Sequence, residues 1–335
     1  MGFNQTKFYV NLIRFQKVKS KGFPYLEVHI YNSFMNFLYC FDNNFNLQAL
    51  NSINSVISNS ENDDINFYIV HETPDTFLKI IDKYLPKYKN LIKIYKFDFD
   101  SLSFPKISGA HVSKATYFRL FFQEYLPVDL DFVTYVDSDI VCLSNPTKRI
   151  KEQIQLLKSK DYLLGAVADE QGQNSNKDRL SMKSDEYFNA GVMVINLRKW
   201  RSEIKTNQIV ACMAKLEEKI LWWDQDILNV LVDGNFLELN DDFNMKVSNT
   251  SDNAENSIIF LHYAGKGKPW DNSFFYDKRH KKYQLAFLNT GFSEYHIDPQ
   301  GIIENLSFFK NLIKINNNSI NKKKLLSSYL KNKLK

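Results

Sequence analysis

The chain has 335 residues, 44% hydrophobic and 24% charged, which excludes global disorder and suits one large domain or two small ones. Of its 43 basic residues, eight are lysines beyond Glu304, where no acidic residue occurs. The rest is mildly acidic, so a nucleic-acid partner, which needs a basic binding face, is not expected. No run of about 18 apolar residues appears, and MGFNQTKFYVNLIRFQKVKSKG interrupts every apolar stretch with polar residues, so a cytoplasmic protein without a membrane span is expected.

Residues 1–34 precede the first regular unit and read as an extension. From Met35, strand and helix signals alternate: MNFLYCFD is strand-like, LQALNSINSVI has helical spacing, and INFYIV is again a strand. Thr73-Pro74 then opens a helix over DTFLKIIDKYL, followed by the strand LIKIYKFDF, the helix ATYFRLFFQEYL and the strand DFVTYVD. Further on come the strands YLLGAVAD and GVMVINL, helix signals around Trp200, the helix QDILNVLV and a last strand SIIFLHYAG. Repeated β-α-β predicts a mainly parallel sheet whose ligands bind beyond the carboxyl ends of its strands. EQGQNSNKDRLSMKSD, from Glu170 to Asp185, reads as a mobile loop, and Cys40, Cys142 and Cys212 as reduced core residues.

The segment YVDSDIVCLSNP places Asp137 and Asp139 at a carboxyl strand end. Two carboxylates this close repel unless a cation lies between them, and their hard oxygens suit Mg²⁺ or Mn²⁺. Replacing either is therefore expected to stabilise the metal-free chain slightly. FLHYAGKGKPW offers His262 as a third ligand, which favours Mn²⁺, with Gly265 and Gly267 for close backbone approach and Lys266 and Lys268 for phosphate.

With YCFDNNF, YFRLFFQEYLP, YVDSDIV, LGAVAD, EYFNAGVMVINLRKW, WWDQDILNVL and LHYAGKGKPW in this order, the chain resembles the retaining, metal-dependent glycosyltransferases that include glycogenin and bacterial lipopolysaccharide galactosyl- and glucosyltransferases. The resemblance implies a single Rossmann-like, GT-A type α/β domain over residues 35–304. It also implies a UDP-hexose donor, Mn²⁺ or Mg²⁺ on its diphosphate, and a glycan or glycolipid acceptor in cell-surface polysaccharide synthesis. Asp137, Asp139 and His262 match its metal ligands. Cys40, Phe41, Asp42 and Asn44 match a uridine pocket, and Arg119, Ser138, Gly265 and Lys268 further donor contacts. Asp169, Asn189, Asp224 and Gln225 match positions around the transferred sugar.

Plainer roles stay open for several of these: Arg119 pairing with Glu124, Asp42 and Asn189 as turn formers, Asp224 capping its helix. Trp270 alone among the tryptophans is expected near the acceptor. The neutral amide of Gln225 is a poor nucleophile, which favours attack of the acceptor on the face the diphosphate leaves. A sugar nucleotidyltransferase, or a non-catalytic glycan- or nucleotide-binding module, are the competing functions. In the tail, residues 305–335, Phe308, Phe309, Leu312 and Ile313 share one helical face, and Leu325, Leu326, Tyr329 and Leu330 another. With its lysines, this predicts an interfacial helix on an anionic membrane surface.

Overall fold

The computed structural model describes residues 35–60, 65–99, 102, 104–105, 114–169, 173–249, 257–271, 278–298, 309, 312 and 321–333. The chain divides into two units, Met1–Ser33 and Phe34–Lys335, and everything described lies in the second. The extension at 1–34 and the tail residues Phe308, Lys310, Ile313 and Lys314 fall outside the described residues.

β1 (Met35–Phe41), β2 (Ile65–His71) and β3 (Ile92–Lys96) pair in parallel through the helices α1 (Asn46–Asn59) and α2 (Pro74–Tyr84). Helix α2 begins at Pro74 as expected, but Thr73 Oγ1 donates to Asn43 Oδ1 (2.8 Å) instead of capping it. β4 (Phe132–Val136) joins β1 in parallel on its other side. Residues of β1 alternate between two cores: Leu38 and Cys40 face one, Phe37, Tyr39 and Phe41 the other. A strand buried on both faces has no polar side to show, which is why MNFLYCF reads as a continuous apolar run.

The far half of the sheet holds β6 (Leu164–Ala168), β7 (Phe188–Asn196) and β8 (Phe236–Glu238), completing the order β3-β2-β1-β4-β7-β6-β8. The sheet is mainly parallel, but β7 runs antiparallel to both β4 and β6 because β6 and β7 form a wide hairpin, Ala168 pairing with Phe188. Its tip contains the segment expected as a loop, and there α4 (Gln173–Leu180) forms instead. The sequence SIIFLHYAG also departs from expectation. β10 (Phe260–His262) does not extend the main sheet but pairs with β5 (Ile140–Cys142) and β9 (Met245–Lys246) in a second, small one.

ATYFRLFFQEYL forms a 3-10 helix over Lys114–Glu124. Residues three apart eclipse in that geometry, so Phe118 and Phe121 share one face. Phe118 stacks on Phe97 (3.9 Å between centroids) and Phe121 on Phe99 (4.7 Å), which accounts for part of the chain's 15% aromatic content. α5 (Leu197–Glu203) buries Trp200, and α7 (Trp223–Val232) covers the same face of the sheet. Besides α4, three α-helices went unread in the sequence: α3 (Thr147–Lys160), α6 (Thr206–Leu216) and α8 (Lys281–Asn289). In α3 only Thr147, Ile150 and Leu157 are buried, too sparse a stripe to stand out among its lysines.

The three cysteines are free and buried. In the tail, α9 (Lys322–Lys333) packs Leu325 and Tyr329 against Tyr295 and Ile297, so much of the face assigned to a membrane is covered by the body. Among the described residues no helix is long and apolar enough to cross a membrane.

Candidate active site

β4 leads directly into Asp137, whose N–H donates to Gly191 O of β7 (2.9 Å). The chain turns at once into β5, and antiparallel pairing sets His262 of β10 opposite Ile140, with Tyr263 N–H donating to Asp139 O (3.1 Å). Two backbone ladders thus bring Asp137, Asp139 and His262 together across more than a hundred residues of sequence. Their potential ligand atoms lie within 4.8 Å of one another. His262 Nε2 is 3.4 Å from Asp139 Oδ1 and 3.9 Å from Asp137 Oδ2. Two carboxylates and one imidazole with this convergence suit a divalent cation with open positions for other oxygens.

The cluster stands in a cleft of about 460 Å³ at the carboxyl ends of the central strands. Cys40 and Phe41 line it, as do Ser138, Gly265 and Lys268. Gly265 adopts φ +78°, and a Cβ there would meet nothing within 4 Å, so it is the backbone conformation that favours glycine. Asp42 and Asn44 do not line the cleft: Asp42 Oδ1 accepts Asn44 N–H (3.0 Å), the turn role open to it in the sequence.

Arg119 does not pair with Glu124. It reaches into the cleft, with Nη1 2.9 Å from Asp137 Oδ1 and Nε 2.6 Å from Asp224 Oδ2, and its guanidinium lies over the Tyr135 ring. Tyr135 Oη also donates to Asp137 Oδ1 (2.6 Å). Burial pushes the Asp224 carboxyl up to about 7; Arg119 pulls it back down and Asp137 adds to the rise. Burial works against the Asp139 anion too, but there Lys268 and His262 outweigh it and hold the carboxyl well below the usual range.

Gln225 is tethered at both ends of its amide: Oε1 accepts Ala190 N–H (3.1 Å) and Nε2 donates to Tyr187 Oη (3.3 Å). The N-cap of α7 is Trp222, with no side-chain cap hydrogen bond, so the capping role considered for Asp224 is not taken; Asp226 instead fastens the turn before the helix, its Oδ2 accepting the N–H of Leu221 (2.7 Å) and Trp222 (2.9 Å). Arg179 of α4 grips both Asp226 oxygens at 2.8 Å, and Tyr187 Oη donates to Oδ1 at 2.7 Å. These contacts fix a turn in which Trp223 adopts φ +46°, uncommon for a bulky side chain. Trp222 and Trp223 line the cleft; Trp270, expected near an acceptor, is buried against Tyr283 and stacked on His296.

Asp169 and Asn189 line the far wall with Lys246, whose Nζ is 2.9 Å from Asp169 Oδ1. Sequence reasoning missed Lys246, Asn244 and Asp226. Only Asp226 carried a signal, as an acid in the first turn of a recognisable helix.

A doubly covered, mainly parallel α/β sheet with a cleft at its strand ends is the architecture of the GT-A class of transferases. The chain belongs to glycosyl transferase family 8, which it matches over residues 36–273. Among its relatives, a lipopolysaccharide 1,2-glucosyltransferase of Escherichia coli K12 is 28% identical over 321 residues, 90% of this chain and 91% of its own. A lipopolysaccharide 1,3-galactosyltransferase of Salmonella typhimurium LT2 is 29% identical over 198 residues, 55% of this chain and 57% of its own. In fold the chain is similar to the galactosyltransferase LgtC, solved with donor and acceptor sugar analogues: the TM-score is 0.66 at 22% identity, covering 79% of this chain and 98% of that one.

Proposed function

We propose that the protein transfers a hexose, glucose or galactose, from a UDP-sugar to a glycan or glycolipid acceptor with retention of anomeric configuration, in lipopolysaccharide or related cell-surface polysaccharide synthesis. The observation that carries this reading is the convergence of Asp137, Asp139 and His262 beside Lys268 in the cleft of a family 8 chain. A divalent cation held by these three residues, Mn²⁺ by the imidazole's preference, supplies positive charge where a diphosphate leaves. Lys268 adds a second cation for the same oxygens. Cys40 and Phe41 wall the base, and Arg119 with Asp224 grips hydroxyls of the donor sugar.

Gln225, neutral and hydrogen-bonded at both ends, orients the sugar and leaves the acceptor hydroxyl to attack from the face of departure. Asp169 and Asn189 border the sugar on the other side. For attachment to an anionic membrane surface, the lysines of α9 remain, since Leu325 and Tyr329 are occupied inside the protein. Calorimetric titration of UDP with and without Mn²⁺, followed by a screen for UDP-sugar hydrolysis and NMR of the product anomer, tests the reading. Binding of UDP that ignores Mn²⁺, or an inverted product, would overturn it.

A further inference from the structure

Between β7 and β9 runs a chain of hydrogen bonds whose direction is forced at its start. The Gly191 backbone N–H can only donate, and it donates to Asn189 Oδ1 (3.0 Å). The other end of the Asn189 amide, Nδ2, faces Asp169 Oδ2 (3.4 Å), a carboxylate that pairs with Lys246 and can only accept. Both contacts give the amide the same orientation. Asn189 Oδ1 then accepts a second bond from Asn244 Nδ2 (2.7 Å), which leaves Asn244 Oδ1 facing His262 Nδ1 at 2.8 Å. An amide oxygen cannot donate, so Nδ1 carries a proton, and in the neutral imidazole the lone pair then falls on Nε2, the nitrogen near Asp137 and Asp139.

Packing closes the remaining freedom. A Cβ on Gly191 would stand 2.5 Å from His262 Cε1, so the imidazole packs directly against bare backbone. Asn244 and His262 are both buried, which keeps water from substituting for either hydrogen-bond partner.

We infer that Asn244, oriented by Asn189, is a positioning residue that locks His262 in the Nδ1–H tautomer and so presents Nε2 to a divalent cation. The inference deepens the proposed function and rests on its metal assignment. It also gives Asn189 a task besides any contact with sugar: relaying the polarity of a backbone amide to the metal ligand.

The test reads the tautomer and the metal separately. ¹⁵N NMR of the metal-free protein, at alkaline pH where imidazole is neutral, reports which His262 nitrogen is protonated; Mn²⁺ affinity is measured by EPR. The wild type is expected to show Nδ1–H. Asn244→Leu, which removes the acceptor, is expected to mix the tautomers and weaken Mn²⁺ binding about 10- to 100-fold. Asn244→Asp keeps an acceptor toward Nδ1 and is expected to restore the Nδ1–H signature. A purely structural asparagine would predict the same tautomer in all folded variants. An Nε2–H wild type, or an Asn244→Leu protein with unchanged tautomer and Mn²⁺ affinity, overturns the inference, and the first result needs no variant to fold. A wild type that shows Nδ1–H but binds no Mn²⁺ overturns the metal assignment and with it the purpose of the lock.

Discussion

Lys268 Nζ stands 2.5 Å from Asp139 Oδ2, so the cation assigned to the donor's diphosphate is paired, in the protein alone, with a carboxylate assigned to the metal. Lys268 also donates to Tyr263 O (2.7 Å), which keeps its ammonium at the cluster. A divalent cation held at Asp139 would compete with this pair and leave the Lys268 ammonium available to diphosphate oxygens. Lys268→Ala should therefore separate two affinities. Mn²⁺ alone is expected to bind as tightly as to wild type or more so, whereas UDP in the presence of Mn²⁺ binds one to two decades more weakly, for a lost charge-assisted contact of about 1.5–3 kcal/mol. Two-stage calorimetry checks this, and undiminished UDP affinity would remove Lys268 from the donor site.

The same pairing reverses an expectation drawn from sequence. A bare Asp-x-Asp repels itself, so neutralising one member should stabilise the metal-free chain. Here Arg119 offsets Asp137, and Lys268 offsets Asp139. Because Asp139 is held below its unfolded value, its contribution to stability is present above the ordinary carboxylate range and is lost as pH falls through the folded value. Asp139→Asn should abolish transfer and lower the melting temperature of metal-free protein near neutral pH, with the difference shrinking in acid. An Asp139→Asn protein that melts higher than wild type at neutral pH would contradict the pairing.

Asp224 works with the opposite sign. Its carboxyl is raised, by burial first, from an unfolded value near 4 to about 7 in the folded protein. In that interval the folded state binds more protons than the unfolded one, so the contribution of Asp224 is complete below about pH 4 and is lost as pH rises toward 7. Asp224→Asn should remove this slope while leaving that of Asp139. Urea denaturation of both proteins at several pH values between those limits measures the difference, and parallel stability profiles would refute it.

Much of the site was legible because its chemistry is local. Asp137 and Asp139 share one turn, His262 neighbours a Gly-Lys-Gly-Lys run, and Gln225 opens a clear amphipathic helix. Asn244, in DDFNMKV, has no such context; its value comes from the parallel register of β9 with β10, where His262 meets Lys246. Strand direction was equally hidden, since a buried strand such as β7 has the same apolar run in either sense. Trp270 misled because proximity in sequence to Lys268 does not set where a large ring packs: it turned into the aromatic core around Tyr283.

For the tail, the structure changes the expectation of a free interfacial helix. Leu325 and Tyr329 are buried against Tyr295 and Ile297, and Ser328 Oγ accepts Tyr295 N–H (3.0 Å), so deleting everything after Glu304 would strip a piece of the core. Truncating a buried aromatic costs about 3–5 kcal/mol, and Tyr329→Ala should lower the melting temperature regardless of any membrane. What α9 still offers a leaflet is charge. Lys322 and Lys323 are partly or fully exposed, while Lys331 pairs with Glu294 and Lys324 lies over the Tyr295 ring. At about 1 kcal/mol per lysine near an anionic surface, such attachment is weak and falls within a Debye length. Flotation with anionic liposomes should therefore be clear at low salt, vanish at high salt, and be absent with neutral lipid. Serine at Lys322, Lys323 and Lys324 together should abolish it without lowering UDP affinity. Equal flotation of the triple variant and the wild type would leave α9 with only its packing role.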